Sequence, residues 1–198
     1  MIKLIYGHER SQFPDLIDEM HCLRKQVFHD RLKWSVPIQG DWEIDEFDEQ
    51  DPLRLLPTTG PNMLRNVFAE ITKVSGPVEN PLVWESSRFC IRFSGDRDQR
   101  ESNLISKATV ELIAGMGEVG LLAGLDHVVT VYDAFLRRII RQTGCSETLI
   151  GSPVRYGKVQ TYAGLFEVNR IQLEAFKRVW GLQDTLIEVE SRQRVFAA

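Results

Sequence analysis

The sequence predicts an α+β or mixed α/β sandwich, one sheet covered by helices, and three observations carry that prediction. Strands and helices mix along the chain without strict βαβ regularity. HVVTVY at 127–132 is a continuous apolar run, as in a central strand buried on both faces. Residues 10–32 form an amphipathic helix, with Phe13, Ile17, Met20, Leu23, Val27 and Phe28 recurring at helical spacing.

Taken in order, residues 2–6 read as a short strand leading into that helix. Arg24 falls on its apolar stripe, four residues from both Met20 and Phe28. A guanidinium there either snorkels to water on a buried stem or meets anions inside the fold. Glu43, Asp45, Glu46, Asp48, Glu49 and Asp51 supply candidate anions within an irregular acidic segment, 33–52. LRLLP at 53–57 is a strand end closed by the turn-forming TTGP. A short helix through Met63, Leu64, Val67, Phe68 and Ile71 follows. Pro77 and Pro81 bracket a loop, and residues 82–93 are β-prone although Ser86 and Ser87 interrupt them. Segment 103–124 has helical periodicity. The run at 127–132 then feeds a helix over 133–143, which Gly144 ends in the left-handed capping position. A strand at 158–167, a helix at 169–180 and a last strand at 185–190 complete the reading, with all 198 residues in a single domain.

Composition narrows the function. Hydrophobic residues make up 43% and charged residues 26%, so neither disorder nor a membrane class is indicated. A net charge of −4 argues against a broad nucleic-acid surface. No apolar run approaches the roughly 20 residues that span a bilayer, and the N-terminus lacks a signal-peptide core, so a cytoplasmic protein is expected. Cys22, Cys90 and Cys145 are widely spaced without a CxxC, which fits reduced, buried thiols; with four scattered histidines, no metal site is expected. Gly115-x-Gly117-x-x-Gly120 matches a dinucleotide fingerprint, but its flanks fit a helix at least as well, and an acidic residue at the end of a second strand is missing. The favoured reading is a helix with small residues for close packing.

Four segments together carry more information than any one alone. They are Arg24-(x)3-Phe28-(x)5-Trp34; Asp45-x-x-Asp48; Arg54-Leu55-Leu56-Pro57-Thr58-Thr59-Gly60-Pro61 leading to Phe68; and Trp84-Glu85-Ser86-Ser87-Arg88-Phe89. In this order the chain resembles the LuxI-type acyl-homoserine-lactone synthases, from residue 1 to about 165. The resemblance implies a three-layer α-β-α sandwich similar to the GCN5-related N-acetyltransferases. It also implies an acyltransferase of quorum sensing. Such an enzyme moves an acyl group from acyl carrier protein to the amine of S-adenosyl-L-methionine, then closes a lactone with release of 5′-methylthioadenosine. The methionine compound is a substrate, and no cofactor is implied. The signature positions fall on Arg24, Phe28, Trp34, Asp45, Asp48, Arg54, Phe68, Glu85 and Arg88.

The chemistry gives those residue types reasons. The substrate carries a sulfonium, an ammonium and a carboxylate. Phe28 and Trp34 suit the sulfonium or adenine, Asp45 and Asp48 the ammonium and ribose, and Arg24 or Arg88 the carboxylate. Acylation needs a neutral amine, which makes Glu85 the expected base, with Arg88 and Arg24 holding its orientation. Three residues apart on a regular strand, Glu85 and Arg88 would face opposite sides, so a β-bulge near Ser86 and Ser87 is expected. For the donor, Arg137, Arg138 and Arg141 make a basic patch suited to an acidic carrier protein, an ordinary solvated helix face being the alternative. A coenzyme-A-type pyrophosphate loop is not convincing in the sequence, which mildly favours the carrier. The acyl chain is expected in a tunnel lined by residues such as Met116, Val129, Val131, Tyr132 and Leu136.

One departure stands out. Only five residues separate Asp48 from Arg54, where the family carries about two more strands and their turn. Either a hairpin has been lost or part of the natural chain is absent from this sequence, and the assignments of Asp45, Asp48 and Arg54 depend on which. The competing functions are a coenzyme-A-dependent N-acyltransferase, a catalytically impaired remnant that still binds S-adenosylmethionine, and, from the glycines alone, a nucleotide-binding oxidoreductase.

Overall fold

The computed structural model describes residues 2–48, 55–91 and 106–188. A five-stranded mixed sheet runs in the order β3-β4-β5-β7-β6, where β3 is Leu55–Pro57, β4 Val83–Ser86, β5 His127–Asp133, β6 Thr148–Tyr156 and β7 Val159–Glu167. β4 and β5 are parallel and every other neighbouring pair is antiparallel. Helix α1, Pro14–Arg24, continues as a wider π-helix over Lys25–Arg31. After it come a two-residue-strand hairpin, β1 (Ile38–Gln39) and β2 (Trp42–Glu43), and the short helices α2 (Met63–Asn66) and α3 (Ala69–Thr72). The longer helices are α4 (Lys107–Leu122), α5 (Ala134–Gln142) and α6 (Arg170–Val179).

The apolar run at 127–132 is the central strand, with both faces covered. Val129 packs into a core with Phe28, Trp34, Leu56, Phe68 and Ile71, while Val128 packs on the opposite face with Val119, Leu125 and Ile187. Alternation along one strand thus divides the interior into two cores. Asp133 caps α5 by accepting from the Leu136 N–H at 2.7 Å, and Gly144 follows that helix with φ 88°.

The glycine fingerprint lies inside α4, so the dinucleotide reading falls. A Cβ at Gly115 would meet Ile2, one at Gly117 Leu173 and one at Gly120 Val168, which is the close packing expected of small residues.

Several expectations change. The strand expected at 2–6 and the one at 185–190 reduce to a single parallel bridge, Ile2 with Ile187. β4 stops at Ser86 instead of running to 93. β6 was not expected at all: Gly151 and Pro153 break its pattern, and the register slips between Ile150 and Val154. The acidic segment expected to be irregular holds the β1–β2 hairpin, turned by Gly40 at φ 61° and Asp41.

Candidate functional site

Arg24 is 1% exposed, the most buried residue of α1, so its head does not reach water. Nε donates to Glu43 Oε2, while Nη1 and Nη2 donate to the two oxygens of Asp48 at 2.6 and 2.9 Å in a bidentate pair. Asp48 also accepts from the Asp45 N–H at 2.9 Å, and His21 Nδ1 lies 2.9 Å from the Glu43 carbonyl. Arg88 completes the cluster. It pairs with Asp45, its Nε stands 3.7 Å from Glu43 Oε1, and its guanidinium lies 5.7 Å from the centre of the Phe47 ring. Burial and the neighbouring charge of Arg24 lower the Arg88 pKa to about 10, against the pull of Glu43. Arg24 and Arg88 face Glu43, Asp45 and Asp48, and a third guanidinium, Arg10, donates to the Asp48 carbonyl, so three positive charges meet three negative ones.

Above this ring stand aromatic faces. Phe28 and Trp34 stack with centroids 5.5 Å apart and planes 7° from parallel. Trp34 meets Phe68 edge-on at 5.0 Å, and Phe68 meets Tyr156 edge-on at 4.9 Å. Phe28 sits in the π-helical turns, where the Trp34 N–H reaches back to the Phe28 carbonyl at 2.9 Å. That winding brings the two rings together.

Glu85 is fully buried on β4. Its oxygens accept from the backbone N–H groups of Met63 and Leu64 at 2.7 and 2.9 Å, at the start of α2. The orientation expected from Arg24 and Arg88 comes instead from these two amides, because both arginines spend their bonds on Glu43, Asp45 and Asp48. Burial raises the Glu85 pKa to about 7, although both amide bonds oppose the shift. Beyond Ser86 the chain leaves the sheet, and Arg88 adopts a left-handed φ of 60°. This turn does what a bulge was expected to do, placing Glu85, Ser87 and Arg88 on one pocket. A strained non-glycine residue of this kind is held only where its surroundings fix it.

The pocket lies between the ring and the aromatic wall, is lined by Phe28, Trp34, Glu43, Phe68, Glu85 and Arg88, and encloses about 40 Å³ of free space. Within it, Glu43 Oε1 and Trp34 Nε1 are buried with no hydrogen-bond partner among the described residues. Glu43 and Tyr156 were not on the sequence-derived list. Glu43 was one of six clustered acids with nothing to rank it, and only the hairpin register turns it inward beside exposed Trp42. Arg54 lies outside the described residues.

On the other face of the sheet a second, larger cavity of about 430 Å³ runs between α4, β4, β5, β7, α5 and α6. Phe89 and Leu136 line both spaces, so the two meet where β4 parts from β5. Of the expected acyl-tunnel residues, Met116 and Leu136 line the large cavity. Val131, Tyr132 and Leu136 line the small one, and Val129 is sealed in the core. Tyr132 is held away from solvent, donating to Glu147. Arg137 donates to the same carboxylate at 2.7 Å and covers the Tyr162 ring at 4.7 Å, while Arg138 and Arg141 are exposed. No helix among the described residues is long and apolar enough to cross a membrane. Cys22, Cys90 and Cys145 are free thiols, half-buried instead of fully buried.

A mixed sheet whose central parallel strands part beside a buried carboxylate, with a larger cavity on one side, defines a mixed α/β sandwich built around an enclosed acid–base group. The comparisons sharpen that class. The autoinducer synthase family model matches residues 8–176. The acyl-homoserine-lactone synthase of Rhizobium etli is 35% identical over 170 residues, covering 77% of each chain, and that of Rhizobium radiobacter is 31% identical over 191 residues, covering 88% of this chain and 85% of its own. The crystal structure of the synthase LasI superposes with a TM-score of 0.67 at 30% identity, over 81% of this chain and 87% of that one. The coenzyme-A-dependent synthase BjaI, solved with S-adenosylmethionine and isopentyl-coenzyme A, shares the fold at a TM-score of 0.75 and 22% identity, over 100% of this chain and 99% of its own. The chain belongs to the autoinducer synthase family and is an acyltransferase.

Proposed function

We propose that this chain makes acyl-homoserine lactones, the signals of quorum sensing, by joining a thioester-borne acyl group to the amine of S-adenosyl-L-methionine. One observation carries this reading. A buried ring of guanidiniums and carboxylates, in which Glu43 Oε1 makes no hydrogen bond among the described residues, faces an aromatic pocket, and that pocket opens beside Glu85 onto an apolar cavity. S-adenosylmethionine carries a sulfonium, an ammonium and a carboxylate, and so offers both signs of charge to a site that has both. Glu43 Oε1 takes the ammonium, the Phe28 and Trp34 faces take the sulfonium or adenine, and Arg88 takes the carboxylate. Arg24, Asp45 and Asp48 hold that arrangement rigid, and Phe68 backs Trp34. The free space in the pocket is far smaller than a nucleoside, so binding parts the aromatic stack.

Glu85, ionised in an appreciable fraction near neutral pH, removes a proton from the ammonium. The amine nitrogen then attacks the thioester carbonyl carbon, and the carbon–sulfur bond of the thioester breaks as the thiol leaves with a proton. Next, a carboxylate oxygen of the substrate attacks the carbon that bears the sulfonium. That carbon–sulfur bond breaks with its electron pair moving to sulfur, so 5′-methylthioadenosine departs neutral. The second step needs proximity and no enzyme nucleophile. S-adenosylmethionine is consumed as a substrate, and the chemistry calls for no cofactor and no metal. The acyl donor is acyl carrier protein, docking on the exposed Arg138 and Arg141; Arg137 is tied to Glu147 and shapes the wall instead. Free thiols and these substrates fit a cytoplasmic enzyme.

Incubating the purified protein with S-adenosylmethionine and acyl carrier proteins, with acyl-coenzyme A in parallel, tests this by mass spectrometry. Equimolar lactone and methylthioadenosine are expected. Methylthioadenosine without any lactone, or neither product, would overturn the assignment.

A further inference from the structure

The carboxylate of Glu85 lies on β4 and the two amides that hold it lie on α2, so their meeting depends on what joins β4 to α2. Two of the most deeply buried polar side chains make that join. Thr58 and Asn62 are 1% and 2% exposed, and they line neither cavity. Asn62 is the N-cap of α2, its Oδ1 accepting from the Arg65 N–H at 2.9 Å. Its Nδ2 donates back to the Gly60 carbonyl at 3.0 Å, which folds the TTGP turn against the helix start. Glu85 and Asn62 therefore divide the first three N–H groups of α2, those of Met63, Leu64 and Arg65, which a helix start leaves without partners. Thr58 fastens the same turn to the strand. Its N–H donates to the Val83 carbonyl at 3.2 Å, while its hydroxyl faces the Val83 and Asn80 carbonyls at 2.8 and 2.9 Å and accepts from the Asn80 N–H at 3.1 Å. Val83 opens β4, the strand that carries Glu85.

We propose that Thr58 and Asn62 are positioning residues of the acyl-transfer step: they clasp the start of α2 to the start of β4, so that two N–H groups point at the Glu85 carboxylate before any substrate binds. The proposal rests on the synthase reading, in which Glu85 is the base, and adds the groups that set its strength. Amide donors favour the ionised carboxylate and burial favours the neutral one, and the two balance at about 7. Other titratable groups line the same pocket: Arg31 on the π-helix, Glu43 on β2, Arg88 after β4, and Tyr132 and Asp133 on β5. The bonds to the carboxylate nevertheless come from Met63 and Leu64, and Arg65 on α2 turns to Glu79 instead. Slackening the clasp leaves burial in force and weakens its opponent, so the Glu85 pKa rises.

The test is a carboxyl NMR titration of glutamate-labelled protein, with Glu85→Gln identifying the resonance, beside the pH profile of kcat/KM for lactone formation. Thr58→Val keeps the shape and removes the hydroxyl; Asn62→Ala removes the cap. In each, Glu85 should titrate about one pH unit higher, the size expected when a carboxylate loses an aligned N–H donor. The kinetic inflection should move with it, so that activity below the inflection falls about tenfold and recovers at high pH. Thr58→Ser and Asn62→Ser return a hydroxyl and a cap acceptor, and should titrate with the unmodified protein. A pair that served stability alone would lower the melting temperature without moving the titration. An unchanged Glu85 titration in folded Thr58→Val and Asn62→Ala therefore overturns the proposal, as does a serine variant shifted as far as the others. If Thr58→Val does not fold, Asn62→Ala decides alone. If no donor gives a lactone, the synthase reading fails, and the NMR titration still decides whether the clasp sets Glu85.

Discussion

The two faces of the central strand hold opposite kinds of site. On one face Val131 borders a pocket of about 40 Å³ walled by aromatic rings and a buried ion ring; on the other, Val128 and Thr130 border an apolar cavity of about 430 Å³. The first is specified bond by bond, with Arg24 making hydrogen bonds to two carboxylates and Glu85 held by two backbone amides. The second is specified by volume and by its largely apolar lining. Losing one group should therefore be severe in the ion-lined pocket and graded in the cavity, since unpaired buried charge costs far more than altered packing.

The largest effect expected is at Glu85. Glu85→Gln keeps one acceptor contact to α2, turns its NH2 toward the other amide and removes the base, so acyl transfer should fall about 10²–10⁴-fold while S-adenosylmethionine still binds, as rapid-quench kinetics and calorimetry would show. In the unmodified protein kcat/KM should rise with pH and level off above about 7, the value to which burial raises this carboxyl. Stability should move the other way. A carboxyl whose pKa is raised on folding contributes most below the ordinary carboxylate range, and that contribution is lost as pH rises through about 7. A profile unchanged in Glu85→Gln would break the assignment.

Next in size is Glu43→Gln, which leaves Arg24 and Arg88 short of a charge. About 3–5 kcal/mol of stability should be lost in urea denaturation, with weaker S-adenosylmethionine binding. On the cavity face, Gly164→Ala drives a methyl into the Tyr132 hydroxyl, and a cost of about 1–3 kcal/mol is expected by the same measurement. Smallest is the surface. Arg138→Ala with Arg141→Ala should raise KM for acyl carrier protein a few-fold, more at low salt, and leave KM for acyl-coenzyme A unchanged in steady-state assays.

The difference between the faces also explains what could be read from sequence. The aromatic and charged residues of the pocket are rare types in specific order, and Arg24 betrayed itself by sitting on an apolar stripe. The central strand showed as HVVTVY because both its faces are buried, and the end of α5 showed through Gly144. Glu43 stayed hidden because six acids in one segment are equivalent until a hairpin turns one of them inward. Gly151 and Pro153 concealed β6, an edge strand that tolerates a slipped register. The cavity was only partly legible: its walls come from six separate elements, and periodicity reports which face a residue takes without reporting what stands opposite.

The reading of the pocket as a cation site is tested most directly by calorimetry, comparing S-adenosylmethionine with S-adenosylhomocysteine, which lacks the S-methyl group and with it the sulfonium charge. The carboxylates and the aromatic wall predict about tenfold tighter binding of the sulfonium compound. Equal affinity for the two would contradict the reading of the pocket as a site built for a cation.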